Sequence, residues 1–426
     1  MNKKLVIPLI TLCALFGIHP IFAIDNPHFW RATNFLPAFY EPRLSYPWLS
    51  TFDASLGYGA TSQGRNGAEH KVPLLDIYGT YNMQALGINV PGKDLINSPG
   101  DMVLNQLALL PENGDFAHLS FNGTFKIIEA NLSYSQNFDC GFFFQAHLPI
   151  RHLKISDISY TDLSPIDGNP NRSNPVWQNF LALFPSILAH YNLSIDSRSK
   201  TGVGDLSTLI GWTNNYENTQ EIDYIDTTVR LGVLFPTGKK KNENQVFDIA
   251  LGYNGHFAVP ASISFAVGWY DWFTLGGHFG AMAFFKKTHE LRMRTDCFQQ
   301  GLIILATGYA QVRPGTLWEA NAYVKADHFM CGISLLLGYS FVNKTRDTIT
   351  PENVALFNPS LVNQTEQYLG WKMHTLQLMA DIDLATHEHP YRPYIGAFVN
   401  FVVGGRRIFN TTVGGIYTGV NFVYKF

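Results

Sequence analysis

Apolar and polar residues alternate with a period of two along most of the chain beyond residue 51. At the start of this region Phe52, Ala54, Leu56 and Tyr58 alternate with small or acidic residues. Because successive side chains of a β-strand point to opposite faces, the alternation predicts an all-β protein whose strands each have one apolar face. The predicted strands are 52–58, 75–82, 117–126, 128–135, 139–150, 204–213, 226–235, 257–269, 271–285, 289–297, 300–312, 315–326, 328–342, 368–384, 391–403 and 411–426.

The alternation changes phase at Ile127-Ile128. Before this point the apolar positions have odd numbers, as at Leu119 and Phe121, and after it they have even numbers, as at Leu132. No polar turn separates the two halves, so the change predicts a tight turn or a β-bulge. Residues 84–128 therefore allow one strand more or fewer, and the strand count stays open.

The first 23 residues have the features of a secretory signal peptide. Lys3 and Lys4 give a positive start, residues 5–16 are apolar, and residues 21–23 form a candidate cleavage site. The alternative is a membrane anchor, but about a dozen apolar residues are too few, since a spanning helix needs roughly 20. Residues 24–50 are rich in proline and aromatic residues without a period, and we interpret them as an irregular N-terminal segment or small plug.

Composition narrows the class of protein further. Aromatic residues make up 14% of the chain and charged residues 15%, and no stretch of 18 apolar residues follows the signal. Soluble domains contain about 25% charged residues, so an exported, charge-poor chain without an apolar helix fits a transmembrane β-barrel. A secreted sandwich or propeller is the alternative. The net charge of −3 becomes −5 without Lys3 and Lys4. A nucleic-acid-binding protein is usually basic, so this charge gives no indication of a nucleic-acid partner.

The C-terminal strand carries a resemblance to a known class. Phe422, Tyr424 and Phe426 share one apolar face and end the chain on an aromatic residue. This ending resembles the closing strand of Gram-negative outer-membrane β-barrels, in which it is the signal for the barrel-assembly machinery. The resemblance implies export to the outer membrane and a single antiparallel up-and-down barrel at 51–426. We predict 14–16 strands within a range of 12–16, with long extracellular loops and short periplasmic turns.

Several predicted strands carry a charged row, which a barrel places on its wet inner face because arginine at the lipid midplane costs roughly 2–4 kcal/mol. The row mixes both signs, so strong ion selectivity is not indicated. The alternative for each charge is a pair across strands that braces the wall. The predicted channel-lining residues are Glu129, Arg230, Glu290, Arg292, Arg294, Glu319, Lys325, Asp381 and Asp383.

Residues 151–202 form the first long loop of this interpretation, and 84–115 could hold a helix at Met102–Leu110. Within the long loop Trp177, Phe180 and Phe184 have helical spacing before Pro185. One hypothesis is an amphipathic helix that packs on the barrel rim. The other is a helix folded into the lumen as a constriction.

A second resemblance rests on residues 201–212, TGVGDLSTLIGW, and 227–240, TTVRLGVLFPTGKK. The pair resembles a signature of the outer-membrane transporters for long-chain fatty acids and for phenol degradation, in which a G-x-G-D strand precedes a strand ending in L-P-T-G. Phe235 here takes the leucine position. The resemblance implies passage of small hydrophobic molecules. Residues 201–205 also suggest a phosphate-binding glycine loop, but the missing GK[ST] ending and the missing helix after them argue against it.

The sequence thus predicts an outer-membrane channel for small, hydrophobic solutes, with a non-conducting structural or adhesive barrel as the first alternative and a barrel enzyme as the second. Without a nucleophile motif or a closed ligand set, we predict no enzyme, cofactor or metal site. The predicted partners are membrane lipid, lipopolysaccharide, which Lys239–Lys241 could contact, the assembly machinery and a small solute. Cargo, lumen filling, oligomeric state and the pairing of Cys140, Cys297 and Cys331 stay open.

Overall fold

The computed structural model describes residues 48–217, 222–270, 272–330, 332–384 and 391–423. The predicted signal peptide at 1–23 and residues 24–47 of the predicted N-terminal segment lie outside the described residues. So do Tyr424, Phe426 and Cys331.

Twelve long strands form one closed antiparallel barrel, in which every strand pairs with its neighbours in chain order and the last returns to the first. Twelve lies at the lower limit of the predicted range of 12–16, and the up-and-down barrel is confirmed. The strands are β1 Leu49–Thr61, β2 His118–Asn137, β3 Phe142–Asp162, β4 Leu206–Glu217, β5 Tyr224–Phe235, β6 Ala258–Trp269, β7 Phe273–Phe284, β8 Leu317–Met330, β9 Ile333–Lys344, β10 Trp371–Asp383, β11 Tyr391–Arg406 and β12 Thr412–Val423.

The two ends of the barrel differ. At one end, here called the loop end, the connections are 62–117, 163–205, 236–257, 285–316, 345–370 and the turn 407–411. At the other end, the turn end, the chain reverses over short connections after β2, β4, β6, β8 and β10. Leu49 pairs with Val423, so the described strands also begin and finish at the turn end. Long loops at one end and short turns at the other confirm the predicted arrangement.

The loop-end connections fold together into what we call the cap, defined as the six connections just given. It contains three helices, α1 Pro99–Ala108, α2 Pro175–His190 and α3 Pro359–Val362, of which the first confirms the predicted loop helix. Its short strands are Gln63–Arg65, Lys71–Pro73, Tyr81–Asn82, Arg198–Val203, Lys287–Arg292, Thr307–Arg313, Thr348–Pro351 and Ile408–Phe409. The largest side chains of its main apolar core are Tyr81, Phe116, Phe121, Phe125, Trp177, Phe180 and Phe184.

Both long helices begin at capping residues. The Ser98 side chain accepts a hydrogen bond from the Asp101 amide, and Asn174 accepts from Val176 and Trp177. A proline follows each cap at the first helical position, where its missing N–H is not needed. Helix α2 runs through Pro185, beyond the predicted end, because this proline is solvent-exposed and the carbonyl it frees can be hydrated.

Three predicted barrel strands are wrong. Residues 75–82 form a 3-10 turn, Leu74–Asp76, and a two-residue strand inside the cap. Residues 289–297 and 300–312 overlap the short strands Lys287–Arg292 and Thr307–Arg313, which pair with each other in a small sheet of the cap. Their alternation is real, but the apolar row packs on cap residues such as Phe357 rather than on lipid. A period of two reports one buried face and does not say what buries it.

The predicted break at Ile127-Ile128 is also wrong, because β2 is one continuous strand. Its odd-numbered side chains face inward throughout. From Ile128 toward the turn end the outer face is apolar, with Ile128 44% exposed, and the inner face is polar and buried from Glu129 onward. From Ile127 toward the loop end the inner residues, such as Phe125, belong to the cap core, and the outer face carries exposed polar residues such as Lys126. The side chains keep their inward and outward directions along the whole strand, and only the surroundings of the two faces change.

The same inversion occurs at the same level in β3. Ile150 is outward and 38% exposed, while the next outward residues are His152 and Lys154. Inside, Arg151 is followed by the core residue Leu153, which pairs with Ile127 of β2. The level at which both faces exchange character marks the edge of the apolar outer band. Among the described residues, no helix is long and apolar enough to cross a membrane.

This assignment predicts that arginine has opposite effects at two outward positions of β2. Leu132→Arg places a charge in the middle of the apolar band and should destabilise the folded barrel by about 2–4 kcal/mol. Asn122→Arg lies on the same face above the inversion and should cost little. Denaturant unfolding of barrels folded in lipid vesicles measures both variants. Equal destabilisation by the two substitutions would contradict the assigned edge.

Candidate functional site

A buried ion pair lies at the level where the two faces invert. Arg151 Nε is 2.6 Å from Glu129 Oε2, and the two residues are directly paired across β2 and β3. Arg151 Nη1 also donates a hydrogen bond of 2.7 Å to the carbonyl of Leu251 in the cap. A buried ion pair is stable only when further hydrogen bonds compensate its desolvation, and here one of them comes from the cap. The pair therefore joins the barrel wall to the loop 236–257.

Asp205 is the second anchor of that loop. The strand that pairs with β3 is interrupted at Gly204-Asp205, because Arg198–Val203 and β4 differ in register by one residue. Asp205 is 3% exposed, and its carboxylate accepts hydrogen bonds from the amides of Gly238, at 2.9 Å, and Tyr253, at 2.5 Å. One carboxylate thus holds both ends of the loop 236–257.

The two halves of the predicted transporter signature meet here. Thr237 Oγ1 donates to the Gly204 carbonyl at 2.6 Å and accepts from the Leu206 amide at 3.0 Å. The G-x-G-D and P-T-G segments therefore form one hydrogen-bonded unit, although 33 residues separate the bonded positions Gly204 and Thr237.

Glycine is required where this unit is tightest. A Cβ atom at Gly252 would overlap the Asp205 carboxylate, and one at Gly204 would lie 2.8 Å from the Arg151 guanidinium. Both contacts are shorter than carbon can approach oxygen or nitrogen, so larger residues would separate the loop from its anchor.

A third contact holds the middle of the loop 236–257. Lys200 Nζ forms an ion pair of 2.6 Å with Asp248 and donates to the carbonyls of Lys240 and Ile249. Asp248 also accepts from the Asn242 amide at 2.8 Å. Both charged side chains are largely buried, so the contact fixes the path of the loop over the barrel.

The anchored loop forms one wall of a cavity of about 80 Å³ in the cap. Five loop-end connections contribute to it, together with Ile155 of β3, so it lies near the barrel axis. Most of the lining is apolar, and polar groups come from four residues. The apolar lining is Leu74, Leu75, Ile77, Tyr78, Ile155, Val246, Phe247, Ile249, Ala250, Leu302 and Phe409, and the polar lining is Lys241, Asp248, Asn254 and Gln367.

Six of the nine predicted channel-lining residues lie on the inner wall of the barrel: Glu129, Arg230, Glu319, Lys325, Asp381 and Asp383. Four of these, besides Glu129, make contacts within the wall. Arg230 Nη1 donates to Ser264 at 3.0 Å, Glu319 accepts from Asn321 at 2.8 Å, Lys325 pairs with Asp327 at 3.1 Å, and Asp381 accepts from Tyr417 at 2.9 Å. These contacts brace the wall. Contact with a solute stays a prediction.

The other three predicted residues lie in the cap and not on the barrel wall: Glu290, Arg292 and Arg294. Their position corrects the prediction that residues 289–297 form a barrel strand. Glu290 is exposed, and Arg294 donates to the Cys297 carbonyl. Arg292 is buried and donates to carbonyls of Tyr191, Glu243 and Leu305, each at 2.9 Å. A guanidinium has five donors in one plane, which lets Arg292 hold three loops together.

The aromatic residues of the predicted constriction lie in the main core of the cap. Trp177 stacks on Phe180 with centroids 5.3 Å apart, Phe180 contacts Phe184, and Trp177 also contacts Phe116. All three side chains of the predicted set are fully or almost fully buried. The helix therefore builds the core beside the cavity, and a role in limiting passage stays a prediction.

Phe422 of the predicted assembly signal lies in β12 at the turn end, where its ring is 6.5 Å from that of Tyr391. Cys140 in the turn after β2 and Cys297 in the cap have free thiols, and they lie at opposite ends of the barrel. Within the described parts of the chain, no three His, Cys, Asp or Glu residues come together as a metal site.

Sequence reasoning missed Arg151 and the cavity wall around Phe247. A signal for Arg151 was present, since the β3 segment Ile150-Arg151-His152-Leu153 repeats the inversion seen in β2. No signal marks the cavity wall, because it depends on how several distant loops meet.

Two histidines join the loop 236–257 to the strand Lys287–Arg292 of the cap. His256 Nδ1 lies 3.0 Å from the Phe285 carbonyl and therefore carries the proton, which leaves His256 Nε2 as acceptor for His289 Nε2 at 3.2 Å. Burial, assisted by nearby lysine charges, lowers the pKa of His256 to about 3 and that of His289 to about 4. Both rings are therefore neutral at pH 7.

No family model and no curated protein matches this sequence. Solved structures do. An outer-membrane channel from Pseudomonas putida F1 is 11% identical over 90% of this chain and 98% of that one, with a TM-score of 0.45. The transport unit of the autotransporter AIDA-I from Escherichia coli is 8% identical over 92% and 94%, with a TM-score of 0.36. A mutant of the TodX monoaromatic hydrocarbon channel is 8% identical over 89% and 92%, with a TM-score of 0.35. These likenesses concern the barrel fold alone.

The anchor predicts that Asp205→Ala loosens the loop 236–257. The buried Tyr253 amide and the half-buried Gly238 amide lose their acceptor, and a buried donor left unpaired costs about 1–3 kcal/mol. We expect faster trypsin cleavage at Lys239–Lys241 in the folded protein, followed by mass spectrometry. Asp167→Ala changes an exposed acid of the loop 163–205 and should not affect cleavage. Equal cleavage rates for both variants would show that Asp205 does not hold the loop.

The histidine pair predicts that acid weakens this part of the cap. The unfolded chain takes up protons near the ordinary histidine pKa of about 6.5, whereas the folded pair does so only near 4 and 3. Stability from the pair is therefore present above pH 6.5 and is lost as the pH falls below it. Hydrogen exchange of Lys287–Arg292, corrected for intrinsic rates, should speed up between pH 7 and pH 5.

His289→Gln keeps a side-chain donor without a titrating ring, so this variant should lose the part of that pH dependence that His289 contributes, whereas His256 still titrates. His70→Gln changes an exposed histidine of the cap and should retain it. An unchanged pH dependence in His289→Gln would assign the effect to other groups.

Proposed function

We propose that the chain is an outer-membrane channel that admits small hydrophobic molecules through the cavity in its cap. The observation that carries the proposal is the apolar cavity near the barrel axis, lined by residues from five loop-end connections. A molecule that enters the barrel from the loop end meets this cavity. Its walls favour apolar solutes, since removing apolar surface from water contributes about 25 cal/mol per Å².

A second apolar layer lies where a molecule that enters from the loop end would pass next, and it supports the proposal. Inward side chains at the loop ends of the strands form a cluster that includes Leu234, Met282, Phe284, Val342 and Met373. Farther toward the turn end the inner wall carries charges of both signs, together with a smaller buried cluster of Leu336, Met379, Tyr394, Phe398 and Tyr417. The proposal places the selection for apolar solutes in the cap, where the cavity lies.

The size of the cavity sets a condition on passage. Its volume of about 80 Å³ is smaller than the roughly 150 Å³ of a cavity that holds benzene. A solute the size of an aromatic ring enters only if a wall moves. The loop 236–257 supplies much of the lining, and its middle is held by the contacts of Lys200 described above.

The proposal includes a location and partners. The loop end faces the outside, the apolar band contacts membrane lipid, and lipopolysaccharide borders the cap. Phe422, Tyr424 and Phe426 serve as the signal to the barrel-assembly machinery. No enzyme activity is assigned.

One observation favours the alternative, a non-conducting structural or adhesive barrel. The cap has a continuous apolar core with many fully buried aromatic residues, as a stable surface domain would. In that case the cavity is a packing imperfection of the core.

Measuring solute uptake by cells distinguishes the channel from the non-conducting surface barrel. Ala250 lines the cavity and is 6% exposed, so Ala250→Trp should fill the space and exclude a solute. An indole ring that occupies the cavity leaves no space for a solute. We therefore expect uptake of a radiolabelled alkylbenzene, in a Gram-negative strain depleted of other channels, to fall toward the level of cells without the protein.

Ala283→Trp is the matched control, because Ala283 is exposed on the outer face of β7 and does not line the cavity. It should leave uptake unchanged. If wild-type protein, folded in the outer membrane, gives no more uptake than cells without it, the channel proposal fails and the surface-barrel alternative is favoured.

A further inference from the structure

Two exposed lysines face each other on the outer wall. Lys126 of β2 and Lys154 of β3 are directly paired across the strands, and both side chains point outward. Like charges placed opposite each other in a sheet destabilise it. Among the described residues, no carboxylate lies within 4.0 Å of either amino group to offset the repulsion.

A second pair of lysines lies farther around the same rim. Lys287 follows the end of β7, and its Nζ donates to the Gly255 carbonyl at 3.0 Å. Partial burial lowers the pKa of Lys287, and the adjacent charge of Lys240 lowers it further. Within the described chain these two amino groups also have no carboxylate in ion-pair range. Each pair is therefore a local excess of positive charge.

Both pairs lie just above the apolar band. Lys126 is two residues from the outward Ile128, and Lys154 is four from the outward Ile150. At about 3.4 Å per residue along a tilted strand, Lys126 is within roughly 7 Å of the edge. Below the second pair, the exposed rings of Phe235, Phe257 and Phe285 border the band. Aromatic rings at this depth mark the boundary between hydrocarbon and headgroups.

The rest of the rim differs. Lys372 of β10 pairs with Glu69 at 2.5 Å, and Arg407 pairs with Glu366 at 2.6 Å. These two basic residues are neutralised by acids of the chain itself. Lys126, Lys154, Lys240 and Lys287 instead form a sector between β2 and β7 in which the lysine pairs have no acid partner in the part of the chain that the structure describes.

We propose that Lys126 with Lys154, and Lys240 with Lys287, each bind a phosphate group of the phosphorylated glycolipid that forms the outer leaflet. An ammonium pair at headgroup depth attracts a lipid phosphate, which relieves the repulsion within the pair. The inference rests on the proposed orientation, with the loop end outward. It does not require that any solute passes through the barrel.

Lipid binding to the purified, folded, full-length protein tests the proposal without a transport assay. Native mass spectrometry would titrate bisphosphorylated lipid A and its dephosphorylated form. Loss of one lysine near an anionic surface weakens binding roughly fivefold. The double variants Lys126→Gln with Lys154→Gln, and Lys240→Gln with Lys287→Gln, should each bind the bisphosphorylated lipid at least about tenfold more weakly. Neither should change binding of the dephosphorylated lipid.

Lys71→Gln with Lys93→Gln removes the same charge from the cap away from this sector and should bind like wild type. Heat-dependent gel mobility confirms that every variant is folded. Equal affinities across all variants would overturn the proposal, and so would an equal loss for both forms of the lipid. Displacement of bound lipid by inorganic phosphate at similar concentration would assign the lysines to free phosphate instead, which also overturns it.

Discussion

The structure depends on one constraint, that a strand crossing hydrocarbon must be apolar outside, whereas the same strand in water must be apolar inside. β2 and β3 meet both conditions within one strand each. Their directly paired residues Glu129 and Arg151 lie at the last polar level of the lumen, and Ile127 and Leu153 lie at the first apolar level of the cap. The barrel wall thereby continues upward as the scaffold of a folded domain. Without this extension the connections would lack a surface on which to build a core.

The inversion also explains why an ion pair is buried where it is. A charge inside the apolar core of the cap would carry a large desolvation cost, and one deep in the lumen would not reach the cap. At the boundary, Arg151 contacts Glu129 of the wall and the Leu251 carbonyl of the cap at the same time. Asp205 repeats this arrangement with backbone amides in place of a cation. The two residues couple the position of the loop 236–257 to the barrel.

The sequence predicted the class of fold, the arrangement of loops and turns, and the two motifs that meet at Asp205. It did not predict the strand count, because alternation in Lys287–Arg292 and in barrel strands is locally identical, although one packs in the cap and the other against lipid. Arg292 shows the same limit, since a buried arginine can line a lumen or join three loops. The phase change at Ile127-Ile128 contained the missing information, because it marks a change of solvent along one strand.

The contacts of the loop 236–257 are unequal, and this inequality bears on the proposed passage. Its ends are held by Asp205 and Thr237 through hydrogen bonds to backbone groups, and glycines at these points allow the contacts to be close. Residues 243–246 are also held, by Arg292 and by backbone hydrogen bonds to Ser194. The following residues 247–250 are held mainly through Lys200, a flexible side chain whose ion pair with Asp248 can be replaced by hydrogen bonds to water. These residues can therefore move outward while the rest of the loop stays in place. A cavity too small for an aromatic ring and a wall segment held mainly by one flexible side chain together describe an opening that a solute must itself induce.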